Sequence, residues 1–238
     1  APIAGLLLLG TQVAAAVERW RARMGAATLG WLDAIGELEA LGSLATLSFE
    51  HPDDAFPEIT DPGDPVVLTG LAHPLLPTAT AIRNDLTLGG ETRLIVISGS
   101  NMSGKSTLLK AVGSNLVLGY AGGPVRAVAA RLGRWSLGAS LVLRESLLEG
   151  RSRFYAEVLR IRNIVAAADA GQPVLFLLDE LLSGTNSHDR VIGAEGVLTG
   201  LLEKGAVGLV TTHDLALTAI AERAGGANLH LEDTLVDG

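Results

Sequence analysis

The stretch Gly99-Ser100-Asn101-Met102-Ser103-Gly104-Lys105-Ser106-Thr107 has the residue types and spacing of a loop that holds phosphate. Gly99 and Gly104 let the backbone turn successive N–H groups inward, and a helix starting at the loop's end adds partial positive charge. Lys105 can reach the β- and γ-phosphates of a nucleotide, and the Ser106 hydroxyl can ligate Mg²⁺. The spelling G-x-x-x-x-G-K-[ST] means little without a strand before it and a helix after it. Both are expected here. Leu94-Ile95-Val96-Ile97 is an apolar run, and Leu108, Leu109, Val112 and Leu116 share one helical face.

Two further segments carry chemistry. Val174-Leu175-Phe176-Leu177-Leu178 reads as a buried parallel strand that delivers Asp179-Glu180 at its end, where ligands collect in α/β sheets. Asp179 is expected to hold Mg²⁺ and Glu180 to polarise an attacking water. A third apolar strand, 207–211, leads to His213, which the same sheet edge brings near the γ-phosphate. Between them, Ser183-Gly184-Thr185-Asn186-Ser187-His188-Asp189 suits a tight loop capping the next helix. The same small polar residues suit contact with a second subunit, and the sequence leaves both readings open.

The elements that must position these residues alternate. Strands are expected near 66–68, before the Gly89-Gly90 turn, at 94–97, 174–178, 207–211 and 228–232, with an apolar stretch at 142–148. Helices are expected after the loop and at about 152–168, 189–202 and 215–224. That order implies an α/β fold with a mostly parallel sheet covered by helices on both faces. Ahead of it, Trp31, Ile35, Leu38, Leu41 and Leu44 recur at helical spacing, giving an amphipathic helix over 31–47. The proline-rich stretch 51–65 reads as a linker, so the expected organisation is a helical segment at 1–50 and a catalytic domain at 66–238.

The chain opens on Ala1 rather than Met and is apolar through Val17 except for Thr11 and Gln12, without a basic leader. A buried helix is the first reading, and the tail of an upstream membrane helix the second. The expectation is a piece of a longer protein, trimmed at both ends, with the catalytic domain in the cytoplasm and a membrane tether upstream left open. The 238 residues carry a net charge of −8, so the whole chain does not advertise nucleic-acid binding. Arginines do gather between 126 and 162, where a solvated helix face and a polyanion surface are both open readings. The absence of cysteine excludes disulfides and thiolate metal sites. Four phenylalanines, two tyrosines and three tryptophans are too few for a base-stacking platform.

With these motifs in order, 66–233 resembles the ATPase domain of the MutS family, the DNA mismatch repair clamps. The phosphate loop with its Asn101-Met102 pair carries the likeness, with Glu149-Gly150-Arg151-Ser152-Arg153-Phe154-Tyr155-Ala156-Glu157 similar to the family's signature segment. Asp179-Glu180 with Gly184-Thr185-Asn186-Ser187, Thr212-His213 and His73-Pro74 complete it. The resemblance implies a P-loop NTPase of the ABC-type ATPase class, hydrolysing ATP with Mg²⁺. It also implies a homodimer in which Ser152 and Arg153 reach the opposite nucleotide and Thr185, Asn186 and Ser187 line the contact. Arg153 stands where the family has Ser or Thr, and Ala81 where many members have an aromatic near adenine, which leaves Ile82 and Asn84 for the base. Nothing here resembles the mismatch-reading or clamp domains, so DNA would be met through other domains. One rival is an ABC transporter ATPase, since Leu182-Ser183-Gly184 hints at that signature, but there the signature precedes the acid pair. The other is an assembly module that binds nucleotide with negligible turnover.

Overall fold

The computed structural model describes residues 8–100, 103–141, 153–214 and 217–232, with Arg153 described in its backbone alone. The chain separates into two compact units, Ala1–His51 and Pro52–Gly238.

Among the described residues the first unit is one helix, α1, Leu9–Glu50, which takes in the amphipathic stretch at 31–47 and runs well beyond it. The expectation of a buried helix in the apolar opening is corrected for its described residues, 8–17. None of α1's residues is buried, and Val13, Val17, Trp20, Ile35 and Leu38 are all exposed. A lone helix has no second element within its unit against which to bury an apolar stripe. Glu18, Arg19, Arg21 and Arg23 interrupt its apolar run. Among the described residues no helix is long and apolar enough to cross a membrane.

The second unit contains two sheets. The larger has five parallel strands, β4 (Leu94–Gly99), β6 (Ser136–Ser140), β7 (Val174–Leu178), β8 (Val207–Thr211) and β9 (Ala227–Leu231), in the order β6-β7-β8-β4-β9. Every residue of β7 and β8 is buried, because both faces are covered. One face, with Ile95, Ile97, Leu175, Leu177 and Leu209, packs on Leu108, Leu109, Val112 and Leu116 of helix α2, Lys105–Tyr120. The opposite face, with Leu94, Val96, Phe176, Leu178 and Val210, packs on three helices. These are α3 (Arg153–Asp169), α4 (Ser187–Glu203) and α5 (Thr218–Arg223). Burying either set of leucines and valines stabilises by about 1.5–3 kcal/mol per side chain.

The smaller sheet has the order β1-β5-β2-β3, from β1 (Glu58–Pro62), β2 (Val66–Leu71), β3 (Asn84–Leu88) and β5 (Ala129–Arg134). Its β2–β3 and β2–β5 pairs are antiparallel and β1–β5 is parallel. Val66, Leu68, Leu86 and Leu88 point into the α2 core, whereas Thr69 and Thr87 face outward. Here the structure differs from the linker expected at 51–65. Pro57 precedes β1, Pro62 ends it and Pro65 follows, positions an edge strand tolerates since proline cannot donate to a ladder. Asp54 in the same stretch forms a buried ion pair with Arg126 at 3.2 Å. Residues 52–65 are therefore part of the second unit. The apolar stretch at 142–148 lies outside the described residues.

Candidate functional site

The three strands that end in chemistry-bearing residues are neighbours, β7-β8-β4, and all run in one direction. Register does the rest. Ile97 is level with Thr211 and Leu178 with Val210, so the phosphate loop, Asp179 and Thr211-Thr212-His213 emerge at one edge. The loop leaves β4 through Gly99, whose φ is +143° and whose α-carbon faces the Leu231 carbonyl of β9 so closely that a Cβ would lie 2.2 Å from that oxygen. Gly104, at φ +92°, caps α2 without a side chain, so the helix N-terminus opens on the loop.

Lys105 is buried, and its ammonium donates to the Gly99 carbonyl at 3.0 Å and to the Ser100 carbonyl. Ser103 also donates its hydroxyl to the Ser100 carbonyl, at 3.0 Å. Ser106 Oγ donates to Asp179 Oδ1 at 2.8 Å, joining the two halves of the site directly. Asp179 is only 4% exposed, and the same Oδ1 accepts from Thr211 Oγ1 at 2.6 Å. Thr211 Oγ1 in turn accepts from the Glu180 amide at 2.9 Å. Glu180 Oε1 lies 3.1 Å from His213 Nε2, a contact that requires the proton on that nitrogen because a carboxylate only accepts. A continuous hydrogen-bonded chain thus runs Ser106, Asp179, Thr211, Glu180, His213. Its inner members are buried and its last two half-exposed, as a site that admits water to one end needs.

Beside the loop lies an open cavity of about 310 Å³ whose lining includes His73, Ile82, Asn84, Ser103, Gly104 and Thr107. Ile82 and Asn84, assigned to the base, are at its rim, and Ile82 is 82% exposed. Burial, and secondarily the charge of Lys110, hold the His73 imidazole below the ordinary histidine range.

Thr185, Asn186 and Ser187 lie at the start of α4, and Asn186 is its N-cap, accepting from the Asp189 amide at 2.9 Å. The capping reading of that loop is therefore realised. Asn101, Met102 and Ser152 lie outside the described residues, as does the Arg153 side chain. Thr211 is the residue to which the sequence reading gave no role. The sequence offers only a hydroxyl ending an apolar strand, and its level with Asp179 comes from the register of β7 on β8.

A nucleotide with Mg²⁺ can be tested against these residues. Among the described residues no cluster of three or more His, Cys, Asp or Glu could hold a metal by itself. The donors present are one hydroxyl and one carboxylate, Ser106 and Asp179. That set suits Mg²⁺, which keeps waters and takes phosphate oxygens alongside one or two carboxylates, and so is bound together with its nucleotide.

A glycine loop between a parallel strand and a helix N-terminus, faced by an acid from a nearby strand end, defines a protein of the P-loop α/β class. Residues 95–235 match the family described as MutS domain V, and the chain belongs to the MutS family. It is 37% identical over 152 residues to Endonuclease MutS2 of Thermus thermophilus, covering 63% of this chain and 20% of that protein. It is 35% identical over 216 residues to DNA mismatch repair protein MutS 2 of Halobacterium salinarum, covering 86% of this chain and 24% of that protein. With Endonuclease MutS2 of Thermomicrobium roseum it shares 34% identity over 175 residues, 68% of this chain and 22% of that protein. The chain thus spans about a fifth to a quarter of these relatives' length. The α/β P-loop fold and the MutS resemblance drawn from the motifs both hold.

Proposed function

We propose that residues 66–238 bind and hydrolyse ATP with Mg²⁺, and that helix α1 is an element this ATPase moves in a longer MutS-like protein. The hydrogen-bonded chain from Ser106 to His213 across three adjacent strand ends is the observation that carries this reading. Gly99, Ser100, Asn101, Met102, Ser103, Gly104 and Thr107 supply the phosphate cradle, and Lys105 the fixed positive charge. Ser106 and Asp179 are the metal's protein ligands, and the bound ion neutralises charge on the phosphates. Glu180 orients and deprotonates water, held by the Thr211 hydroxyl through its amide and by His213 through its carboxylate. His213 senses the γ-phosphate. Positioning and charge stabilisation of this kind are most of what phosphoryl transfer requires.

Pairing of two copies around two ATP molecules, with Ser152, Arg153 and the Thr185-Asn186-Ser187 turn completing the opposite site, would make the ATPase a dimer switch. The relatives are named an endonuclease and a mismatch repair protein, and we extend their DNA partner to the full-length form of this protein. An ATP-fuelled, cysteine-free chain suits the cytoplasm.

Single-turnover hydrolysis tests the reading. Glu180→Gln keeps size and hydrogen bonding but not basicity, so the chemical step should slow by about 10²–10⁴-fold with ATP affinity retained. Hydrolysis unchanged in that variant would reduce the domain to a nucleotide-binding assembly module.

A further inference from the structure

The segment after Asp179 is strained in two places. Glu180 has φ +51° and Leu182 φ +57°, left-handed conformations that a residue with a Cβ adopts only under strain. Inside the turn, the Ser183 amide donates to the Glu180 carbonyl at 3.0 Å and the Thr185 amide to the Leu182 carbonyl at 3.3 Å. Two side chains from outside the turn hold it. Thr211 accepts from the Glu180 amide, and Glu157 Oε1 on α3 accepts from the Leu182 amide at 2.7 Å. Glu157 is only 8% exposed, and Leu182 is buried too. A buried carboxylate needs bonds to its oxygens, and the Leu182 amide supplies one of them.

The same helix meets the turn a second time. A Cβ on Gly184 would lie 3.1 Å from Phe154 Cβ and 3.5 Å from Phe154 Cα, so the first turn of α3 is packed against the turn's backbone. Glu157 stands one helical turn beyond Arg153, where α3 begins.

We propose that Glu157 is a positioning residue for Glu180. Its carboxylate clamps the Leu182 amide, keeps the strained turn in place, and so ties the direction of the Glu180 side chain to the start of α3. This role rests on the ATPase reading above. It gives the start of α3 a route to the hydrolytic acid in the same chain. A second copy that displaced the first turn of α3 would reset hydrolysis through Glu157 without touching Glu180. Glu157 itself contacts no reacting atom.

The test is single-turnover ATP hydrolysis with Mg²⁺ by the 238-residue chain, with ATP affinity and melting temperature measured alongside. Glu157→Ala leaves the Leu182 amide without this acceptor, and the hydrolysis rate should fall by about 10²-fold, the scale of a misplacement near 1 Å. ATP affinity should stay within about twofold, since Lys105 and the loop are untouched. Glu157→Gln keeps a carbonyl oxygen at the same reach and should restore most of the rate. Glu157→Asp, one methylene shorter, carries the test if the alanine variant fails to fold, and should be slow like it. Wild-type hydrolysis with an unchanged rate in Glu157→Ala, or in Glu157→Asp where that stands in, overturns the positioning role alone. So does a slowed variant that glutamine does not rescue, or one that loses ATP affinity in step with its melting temperature. A wild-type chain that does not hydrolyse ATP overturns the ATPase reading beneath it.

Discussion

The two sheets of the second unit do different work with different sequences. In the parallel sheet, β7 and β8 are apolar from end to end, buried on both faces, and deliver polar residues only where they stop. In the mixed sheet, strands such as β2 alternate between core and solvent and end beside the open cavity rather than on the hydrogen-bonded chain. The contrast separates chemistry from recognition. On the proposed reading, the groups that must hold a fixed geometry for phosphoryl transfer follow the ends of buried strands, and the base would be left to a shallow, exposed rim.

The largest effect that sharpens the contrast is expected at Lys105. Lys105→Ala removes the buried ammonium and should weaken ATP binding by about 10²-fold, read by titration calorimetry. An effect near unity would mean that the loop does not hold the triphosphate. Next is a matched pair of Thr→Val changes, one on each sheet. Thr211→Val keeps shape but takes the acceptor from the Glu180 amide, which should cost about 1–3 kcal/mol in urea unfolding and slow single-turnover hydrolysis. Thr69→Val on β2, at an exposed position, should stay within about 0.5 kcal/mol. Equal effects at the two sites would erase the distinction between the sheets.

Smaller still is Ile82→Ala at the cavity rim. Losing apolar contact with a base there should weaken ATP by about fivefold or less and leave the hydrolysis rate of bound ATP unchanged. The smallest effect concerns His73, whose imidazole is held below its ordinary range by burial first and then by Lys110. The unfolded chain binds that proton more readily than the folded one. Stability from this group is therefore full above the ordinary histidine value near 6.5 and is lost as pH falls from there through the lowered folded value. His73→Gln should flatten the stability-against-pH curve slightly in that window, measured by urea midpoints across pH 5–8.

The same contrast explains what was legible in the sequence. Leu94-Ile95-Val96-Ile97 and Val174 to Leu178 announce themselves because both faces are buried, and the glycine loop because its spelling sits between strand and helix. Those two facts carried the parallel sheet and the motif order. The mixed sheet was harder to read. β1 hides among prolines that look like linker punctuation, and β5, in which Arg131 and Arg134 are exposed, has no continuous apolar run. Burial on one face only leaves a period-2 pattern too short to stand out in five or six residues. The Thr211 bridge was illegible because a hydroxyl's role depends on register between strands distant in sequence. Glu157 was visible as part of the signature-like segment, but its bond to Leu182 depends on a left-handed turn that spacing does not reveal.

The central claim is that one triphosphate with its Mg²⁺ sits between Lys105 and the Ser106–Asp179 pair. Equilibrium ATP binding measured with excess Mg²⁺ and with chelator, in the wild-type chain and in Ser106→Ala, tests this most directly. The account predicts that Mg²⁺ strengthens wild-type binding, and that Ser106→Ala loses most of that gain while its metal-free affinity stays near wild type. Mg²⁺ strengthening the two proteins equally would contradict it.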